Sequence, residues 1–377
     1  MGKEKAGIGL ELRLNQAVVK GKAFLKVEVK ARRRRPLTPG VALVLDRSGS
    51  MAGRKLEEAK AAARHLLSAL SPKARLGLVA YDHEVTVGGF ARQEVAGFLR
   101  DLEARGTTAL HAGWAKGVEI LKDEKRPRVV FLLSDGLANQ GLTDPERLAQ
   151  EAKKAAARGV YTFTLGFGEA YDRHLLAGMA QAGGGTHHYV AQGELLPTLV
   201  TEMAFLEGPV NLGVRLALGK NVHHLAPFAP GEERVLLLPV EGEALEVAER
   251  LPEDVRRVHL PLPEPTAEES PLWKEAELEV LLLEGAQLLK TEATSPEEAS
   301  GLKEQAETLL AHLRAHPLGK TPRVQAMAEA LSAFSEGTEL LAQRFDPGVS
   351  DRMAREGLAY SSQMLYQSRP PSYRRRF

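Results

Sequence analysis

The sequence predicts a doubly wound, mostly parallel six-stranded α/β sheet inserted in an antiparallel β-sandwich, with an α-helical extension at the C-terminal end. Three observations carry this prediction. Between residues 41 and 206, short continuous apolar runs alternate with amphipathic runs at helical spacing, the pattern of buried parallel strands and their covering helices. Residues 7–31 instead alternate apolar and polar, and strand-like segments return after Gly208-Pro209. From residue 297 onward, leucines and alanines recur at helical spacing again.

Composition bounds the function classes. A chain of 377 residues allows two or three domains at the usual ~100–200 residues each. The absence of cysteine excludes a disulfide framework, thiolate metal sites and thiol catalysis. A net charge of +1 gives no global pull toward nucleic acid or an anionic membrane, so neither is expected as a partner. No apolar h-region follows Met1, and no run approaches the ~18 apolar residues of a membrane span. The expectation is a soluble, cytoplasmic protein without a signal peptide.

The elements follow in order. Ile8, Leu10, Leu12 and Leu14 begin the first alternating strands, and Gly21 marks a hairpin turn. The basic run Arg32–Arg35 leads into Pro36 and Pro39 and reads as a solvated connector. Val41–Leu45 is a buried strand, and Leu56, Ala59, Ala63, Leu66 and Leu70 mark the helix after it. Leu76–Tyr81 is a second buried strand, with Val85 and Val87 returning antiparallel. Helices are expected at 95–102 and 110–121, a strand at Val129–Leu133 and a helix at 144–158 with Pro145 in its first turn. A strand at 160–165, a helix at 172–181, a strand at 186–190 and a helix at 194–206 complete this part.

After Pro209, strands are expected at 210–218, 235–240, 258–262 and 278–283, separated by Gly- and Pro-rich turns. These resemble residues 7–31 more than the centre. The expected division is therefore a discontinuous sandwich, 1–37 with 208–290, around an α/β domain at 38–207. A helical extension at 291–366 holds one helix stopped at Pro317, a second interrupted at Gly337 and a short one at 351–360. Residues 367–377 read as a mobile tail.

Ligands of open α/β sheets bind beyond the carboxyl ends of the strands. Three such places here carry oxygen side chains: Asp46, Ser48 and Ser50 after the first buried strand, Thr107 and Thr108 at a helix entry, and Ser134 and Asp135 after Val129–Leu133. Hydroxyls and carboxylates are the ligands that a hard cation such as Mg²⁺ takes.

Asp46-Arg47-Ser48-Gly49-Ser50, then Gly106-Thr107, then Ser134-Asp135-Gly136, in this order, resemble the metal-ion-dependent adhesion site of the von Willebrand factor type A (VWA) domain. The resemblance covers about residues 40–206. It implies that Ser48 and Ser50 bind the cation directly, that Asp46 and Asp135 bind it directly or through water, and that Thr107 joins or leaves with conformational state. It implies Mg²⁺, with Mn²⁺ or Ca²⁺ as alternatives, and an open position filled by an Asp or Glu of a partner protein. Bacterial multidomain VWA proteins with flanking sandwich strands and a helical tail resemble the chain more loosely, and they imply AAA+ ATPases or phosphorylation systems as partners. The expected role is a non-enzymatic, metal-dependent interaction module.

Two other classes stay open. A metal-dependent hydrolase would need a base, for which Asp82, His83 and His111 stand at plausible places in the chain. A metal-independent scaffold would bind through the sandwich or the helical tail. The pairs His187-His188 and His223-His224 read as structural, because neighbours on a strand face opposite ways. Trp114 reads as core.

Overall fold

The computed structural model describes residues 9–32, 34–123, 125–167, 172–190 and 208–364. The helix expected at 194–206 and the tail at 367–377 lie outside these residues. The chain opens with a hairpin of β1 (Leu10–Val19) and β2 (Lys22–Ala31), paired antiparallel from Leu10↔Ala31 to Val19↔Lys22. Lys20 and Gly21 form its two-residue turn, both at positive φ (51° and 73°), the conformation that matches the twist of the flanking strands.

The α/β unit follows as β3 (Gly40–Asp46), α1 (Arg54–Ala69), β4 (Arg75–Tyr81), β5 (Val85–Gly89), α2 (Arg92–Asp101), α3 (Leu110–Glu119), β6 (Arg128–Ser134), α4 (Pro145–Ala157), β7 (Val160–Phe167), α5 (Arg173–Ala182) and β8 (Gly184–Val190). The strands form one 6-stranded sheet in the order β5-β4-β3-β6-β7-β8. Only β5 runs antiparallel to its neighbour.

Every residue of β3 is buried, because successive side chains enter opposite cores. Val41, Leu43 and Leu45 pack with Leu56, Leu66 and Leu70 of α1 and Val95 and Leu99 of α2. Ala42 and Val44 pack with Leu110 and Trp114 of α3, Leu148 of α4 and Leu176 of α5. From β3 the chain moves outward to β4 and β5, then returns on the other side at β6. The carboxyl ends of β3 and β6 are therefore the switch point at which a cleft opens.

Beyond the α/β unit come β9 (Val214–Leu218), β10 (Asn221–Leu225), β11 (Glu233–Pro239), β12 (Ala244–Arg250) and β13 (Val255–Pro261). β11 pairs with β2 to complete the sheet β1-β2-β11, while β10-β9-β12-β13 form the second. The two sheets share a core in which Leu10, Val27 and Val29 meet Leu216, Phe228, Leu245 and Val247. Strands that flank the α/β unit in sequence thus pair in space. The basic connector is not wholly solvated: Arg34 lies 3.5 Å from the fully buried Glu249, which also accepts from the Gly9 amide at 2.5 Å.

The helical part begins earlier than the sequence reading placed it. α6 (Pro271–Leu289) contains Leu278–Leu283, the segment expected as a strand, and α7 (Pro296–Ala315), α8 (Pro322–Gln343) and α9 (Pro347–Met364) follow. Trp273, Ala276 and Val280 of α6 cover Ala17 and Val19 on the outer face of β1. Leu281, Leu282 and Leu289 enter a second core with Leu302, Leu313, Met327 and Phe334. A helix apolar on two faces loses the period that separates it from a buried strand. The local signal was Ser270-Pro271: Ser270 Oγ accepts from the Trp273 amide at 3.2 Å, an N-cap with Pro at the first helical position.

Gly337, expected as an interruption, lies inside α8 and is buried there. Packing outweighs the ~1 kcal/mol that glycine costs in a helix. α9 packs on β8 and α5, and Arg173 at the start of α5 pairs with Asp351 of α9 and with Glu292 at 2.5 Å. Among the described residues no helix is long and apolar enough to cross a membrane.

α6 is the brace between sandwich and bundle. The indole Nε1 of Trp273 donates to the Val18 carbonyl at 2.8 Å. Trp273→Ala is expected to lower the unfolding free energy by about 3–5 kcal/mol in urea denaturation. A loss below about 1 kcal/mol would mean that α6 does not hold β1.

Candidate metal centre at the sheet rim

β3 carries its last residue, Asp46, to the switch point with no side-chain exposure. Its carboxylate is held from three directions. The Ser48 amide donates to Oδ1 at 2.8 Å. Ser134 Oγ and the Tyr81 hydroxyl donate to Oδ2 at 2.5 and 3.2 Å. Ser134 ends β6 and Tyr81 ends β4, so one carboxylate ties the ends of three neighbouring strands. The chain then makes a short 3-10 turn at Gly49–Met51, anchored by the fully buried Met51. This turn leaves the Ser48 and Ser50 hydroxyls 3.0 Å apart, with Ser48 buried and Ser50 exposed.

Asp135 follows Ser134 and is also fully buried. Its Oδ2 accepts from the Lys55 ammonium at 3.0 Å and its Oδ1 from the Leu137 amide at 3.4 Å. Gly136 has φ of 68°, and a Cβ there would stand 3.0 Å from the Asp172 carbonyl oxygen. Burial pushes the Asp46 carboxyl up from 3.8 to about 6. The Ser134 hydroxyl and the Ser48 amide oppose that rise, and the nearby Asp135 adds to it. Two carboxylates are thus drawn into one low-dielectric corner, where a cation would relieve both.

The third segment comes under the first. The Gly49 amide donates to the Gly106 carbonyl at 3.0 Å, and the Arg105 amide to the Arg47 carbonyl at 2.8 Å. Gly106 has φ of 70°, and a Cβ there would lie 2.2 Å from His83 Nδ1, so only glycine fits. Thr107 is exposed, and its hydroxyl donates to Gln140 Oε1 at 2.5 Å. Thr108 is buried, and its amide donates to Asn139 Oδ1 at 2.8 Å. Asp46, Ser48, Ser50 and Asp135 are joined through Ser134 and the 3-10 turn. Thr107 stands beside them with its hydroxyl proton directed at Gln140.

Sequence reading missed Lys55, Tyr81, Asn139 and Gln140. Tyr81 closes a strand adjacent to β3, and Asn139-Gln140 lie in the loop after Asp135, so position was a usable signal for these. Lys55 resembles any lysine on a solvated helix.

A second polar cluster borders the rim. Asp82, His83 and Glu84 have candidate ligand atoms within 4.8 Å of one another. Asp82 is already held by Arg47 Nε at 2.9 Å and Arg105 Nε at 2.7 Å, and Glu84 by Arg105 at 3.0 Å. Burial alone would raise the Asp82 carboxyl, but the Glu84 amide and the two guanidiniums outweigh it and hold the group below its ordinary value. Guanidiniums already neutralise this cluster, so a metal would enter against two fixed positive charges. The cluster is better described as a clamp between the loops that carry Arg47 and Thr107.

His187 and His188 are buried neutral, both lowered to about 3 by burial. His187 Nδ1 lies 2.9 Å from Thr164 Oγ1, and His188 Nε2 lies 2.8 Å from Thr186 Oγ1. The pair turns opposite ways, as strand neighbours do. Trp114 is core, its Nε1 donating to Thr162 Oγ1 at 3.1 Å.

The donor set fits a hard divalent ion. It offers hydroxyl and carboxylate oxygens with a positively charged ammonium already against Asp135. A six-stranded, mostly parallel sheet with helices on both faces defines a doubly wound α/β domain. Residues 41–202 match the von Willebrand factor type A domain family, and the chain carries a domain of that family. An uncharacterised protein of Synechocystis is 31% identical over 215 residues, covering 55% of this chain and 49% of that protein. The human inter-alpha-trypsin inhibitor heavy chain is 30% identical over 162 residues, covering 38% of this chain and 18% of its own length. The chain thus spans half or less of these relatives.

Two solved structures match nearly end to end. A von Willebrand factor type A protein from Catenulispora acidiphila has a TM-score of 0.57 at 15% identity, covering 98% of this chain and 99% of its own. An ArnB paralog from Sulfolobus acidocaldarius has a TM-score of 0.54 at 17% identity, covering 94% and 99%. These likenesses extend the shared fold over the sandwich and helices as well as the α/β unit.

The raised Asp46 carboxyl has a thermodynamic consequence. The folded chain keeps a proton that the unfolded chain has already released, so the contribution of Asp46 to stability is full below about 3.8 and is lost as pH rises through about 6. In EDTA, Asp46→Asn is expected to stabilise the fold by roughly 1–3 kcal/mol near neutral pH, with the gain vanishing toward acid. Chemical denaturation at several pH values checks this. A variant less stable than wild type throughout would show that the carboxylate, even without a cation, is a net stabiliser.

Proposed function

We propose that the chain is a divalent-metal-dependent protein-interaction module that captures an acidic side chain of a partner protein. Domains of this family are typically protein-interaction modules, and they often bind a divalent metal. The observation that carries the finer reading is the convergence of buried Asp46 and Asp135 with the paired hydroxyls of Ser48 and Ser50 at the sheet's switch point. Asp46, Ser48, Ser50, Asp135 and Thr107 would hold the ion, with Mg²⁺ the first choice and Mn²⁺ or Ca²⁺ as alternatives. When bound, the ion supplies a positive centre for a carboxylate from outside. The chain's own residues hold the rim in register and keep the inner oxygens away from bulk water.

The reading is non-catalytic. Of the side chains that hydrolysis would need as a base, Asp82 is engaged by two guanidiniums, His83 Nδ1 lies 3.1 Å from Asp82, and His111 packs beside Trp114. We further propose a cytoplasmic location and partners of the AAA+ ATPase or phosphorylation type, on the resemblance and composition set out above.

The test is capture of partners by immobilised full chain in Mg²⁺ and in EDTA, with wild type, Asp46→Ala and Ser48→Ala. The expected result is a partner retained by wild type in Mg²⁺ and lost, by at least about tenfold in affinity, in EDTA or in either variant. Partners that bind regardless of metal and of both substitutions would place the interaction on the sandwich or helices instead.

A further inference from the structure

We propose that Lys55 is a resident cation of the rim, whose ammonium occupies Asp135 when no divalent ion is present and so sets how much divalent ion the domain requires. The inference rests on the metal reading above and concerns the regulation of the same site.

Asp135 has no exposed side-chain surface, and the Lys55 Nζ lies 3.0 Å from its Oδ2. Among the described residues, Lys55 is the basic side chain in ion-pair contact with Asp135. The other basic groups of the rim are committed elsewhere, Arg47 and Arg105 to Asp82 and Glu84. Lys55 stands in the first turn of α1, directly after Arg54 and the uncapped Gly53 (φ of 74°). The first turn of α1 therefore delivers an ammonium to the buried carboxylate.

A buried carboxylate left without a partner costs several kcal/mol, so the metal-free domain needs this charge. The metal-bound domain does not. A divalent ion on Asp135 would find a like charge within a few ångströms, and either the ammonium withdraws or both share the carboxylate at a loss.

The side chain suits withdrawal. Lys55 keeps 27% of its surface exposed, and an ammonium on a flexible four-carbon stem can turn to solvent where a planar guanidinium fork would hold. The exchange swaps one ion pair for another and leaves Asp135 compensated throughout.

The experiment is Mg²⁺ titration calorimetry on the full chain, with melting in EDTA and in Mg²⁺, for wild type and Lys55→Met. Lys55→Gln, which keeps a neutral donor for Asp135, replaces Lys55→Met if that variant does not fold. The expected result is Mg²⁺ affinity at least about fivefold tighter in the variant, the size of one like-charge contact under full water screening. The variant should also melt lower than wild type in EDTA, a deficit that Mg²⁺ removes. Binding by the variant alone would support the inference in its strongest form. If wild type binds Mg²⁺ and the variant binds no more tightly, the role of Lys55 is overturned while the metal reading stands. If neither binds, it is the metal reading that fails.

Discussion

The rim depends on one buried carboxylate. Asp46 sits at the end of a strand covered on both faces, so no water reaches it to share its charge. A carboxylate in that position survives only with donors arranged around it. The donors come from Ser48 in its own loop, Ser134 at the end of β6 and Tyr81 at the end of β4. Satisfying Asp46 therefore fixes the relative position of three strand ends, and with them the loops that carry Ser48, Ser50 and Asp135. The same interactions that make Asp46 tolerable make the rim a single rigid object.

The α/β part was legible because the central strands β3, β4, β6 and β7 are buried on both faces and the helices are amphipathic, so period and run length separate them. The three oxygen-bearing segments were legible because strand ends are where such sheets present ligands. What stayed hidden shares one physical cause: each feature depends on what a side chain meets from elsewhere in the chain. Leu278–Leu283 read as strand because α6 faces β1 on one side and the helical core on the other. Lys55 drew no notice because nothing local says that Asp135 lies beside it. Arg34 read as linker because Glu249, its partner, is far away in sequence. Gln140 and Asn139 were within reach of the loop-position argument, yet their acceptor role toward Thr107 and Thr108 needs the third dimension.

The rim is also connected to the helical extension. The Asp172 amide donates to the Asp135 carbonyl at 2.9 Å, and the Asp172 carboxylate caps α5 through the Leu175 amide. The next residue, Arg173, reaches Asp351 of α9 and Glu292 before α7. A shift of the Asp135 backbone would be felt at the first turn of α5 and at an ion pair with α9.

Under the proposed function, charge accounting favours an anion as the visitor. Asp46 and Asp135 contribute two negative charges at the rim, and Lys55 returns one. With Lys55 in place a divalent ion would bring the corner to net positive, and with Lys55 turned to solvent it would bring it to neutrality. The adjacent clamp does not cancel this surplus, because Arg47 and Arg105 there face Asp82 and Glu84 and are nearly balanced among themselves. A neutral ligand would gain little from such a corner, and a cation would be repelled. Under the proposed function a carboxylate would gain most, since it supplies a negative charge and a hard oxygen at once. Under the proposed function, a preference for an acidic partner would follow from the small number of carboxylates that β3 and β6 place at the rim. A third acid in place of Ser48 or Ser50 would leave the loaded rim with excess negative charge once Lys55 has turned away, and under the proposed function it would weaken the attraction for a partner's carboxylate.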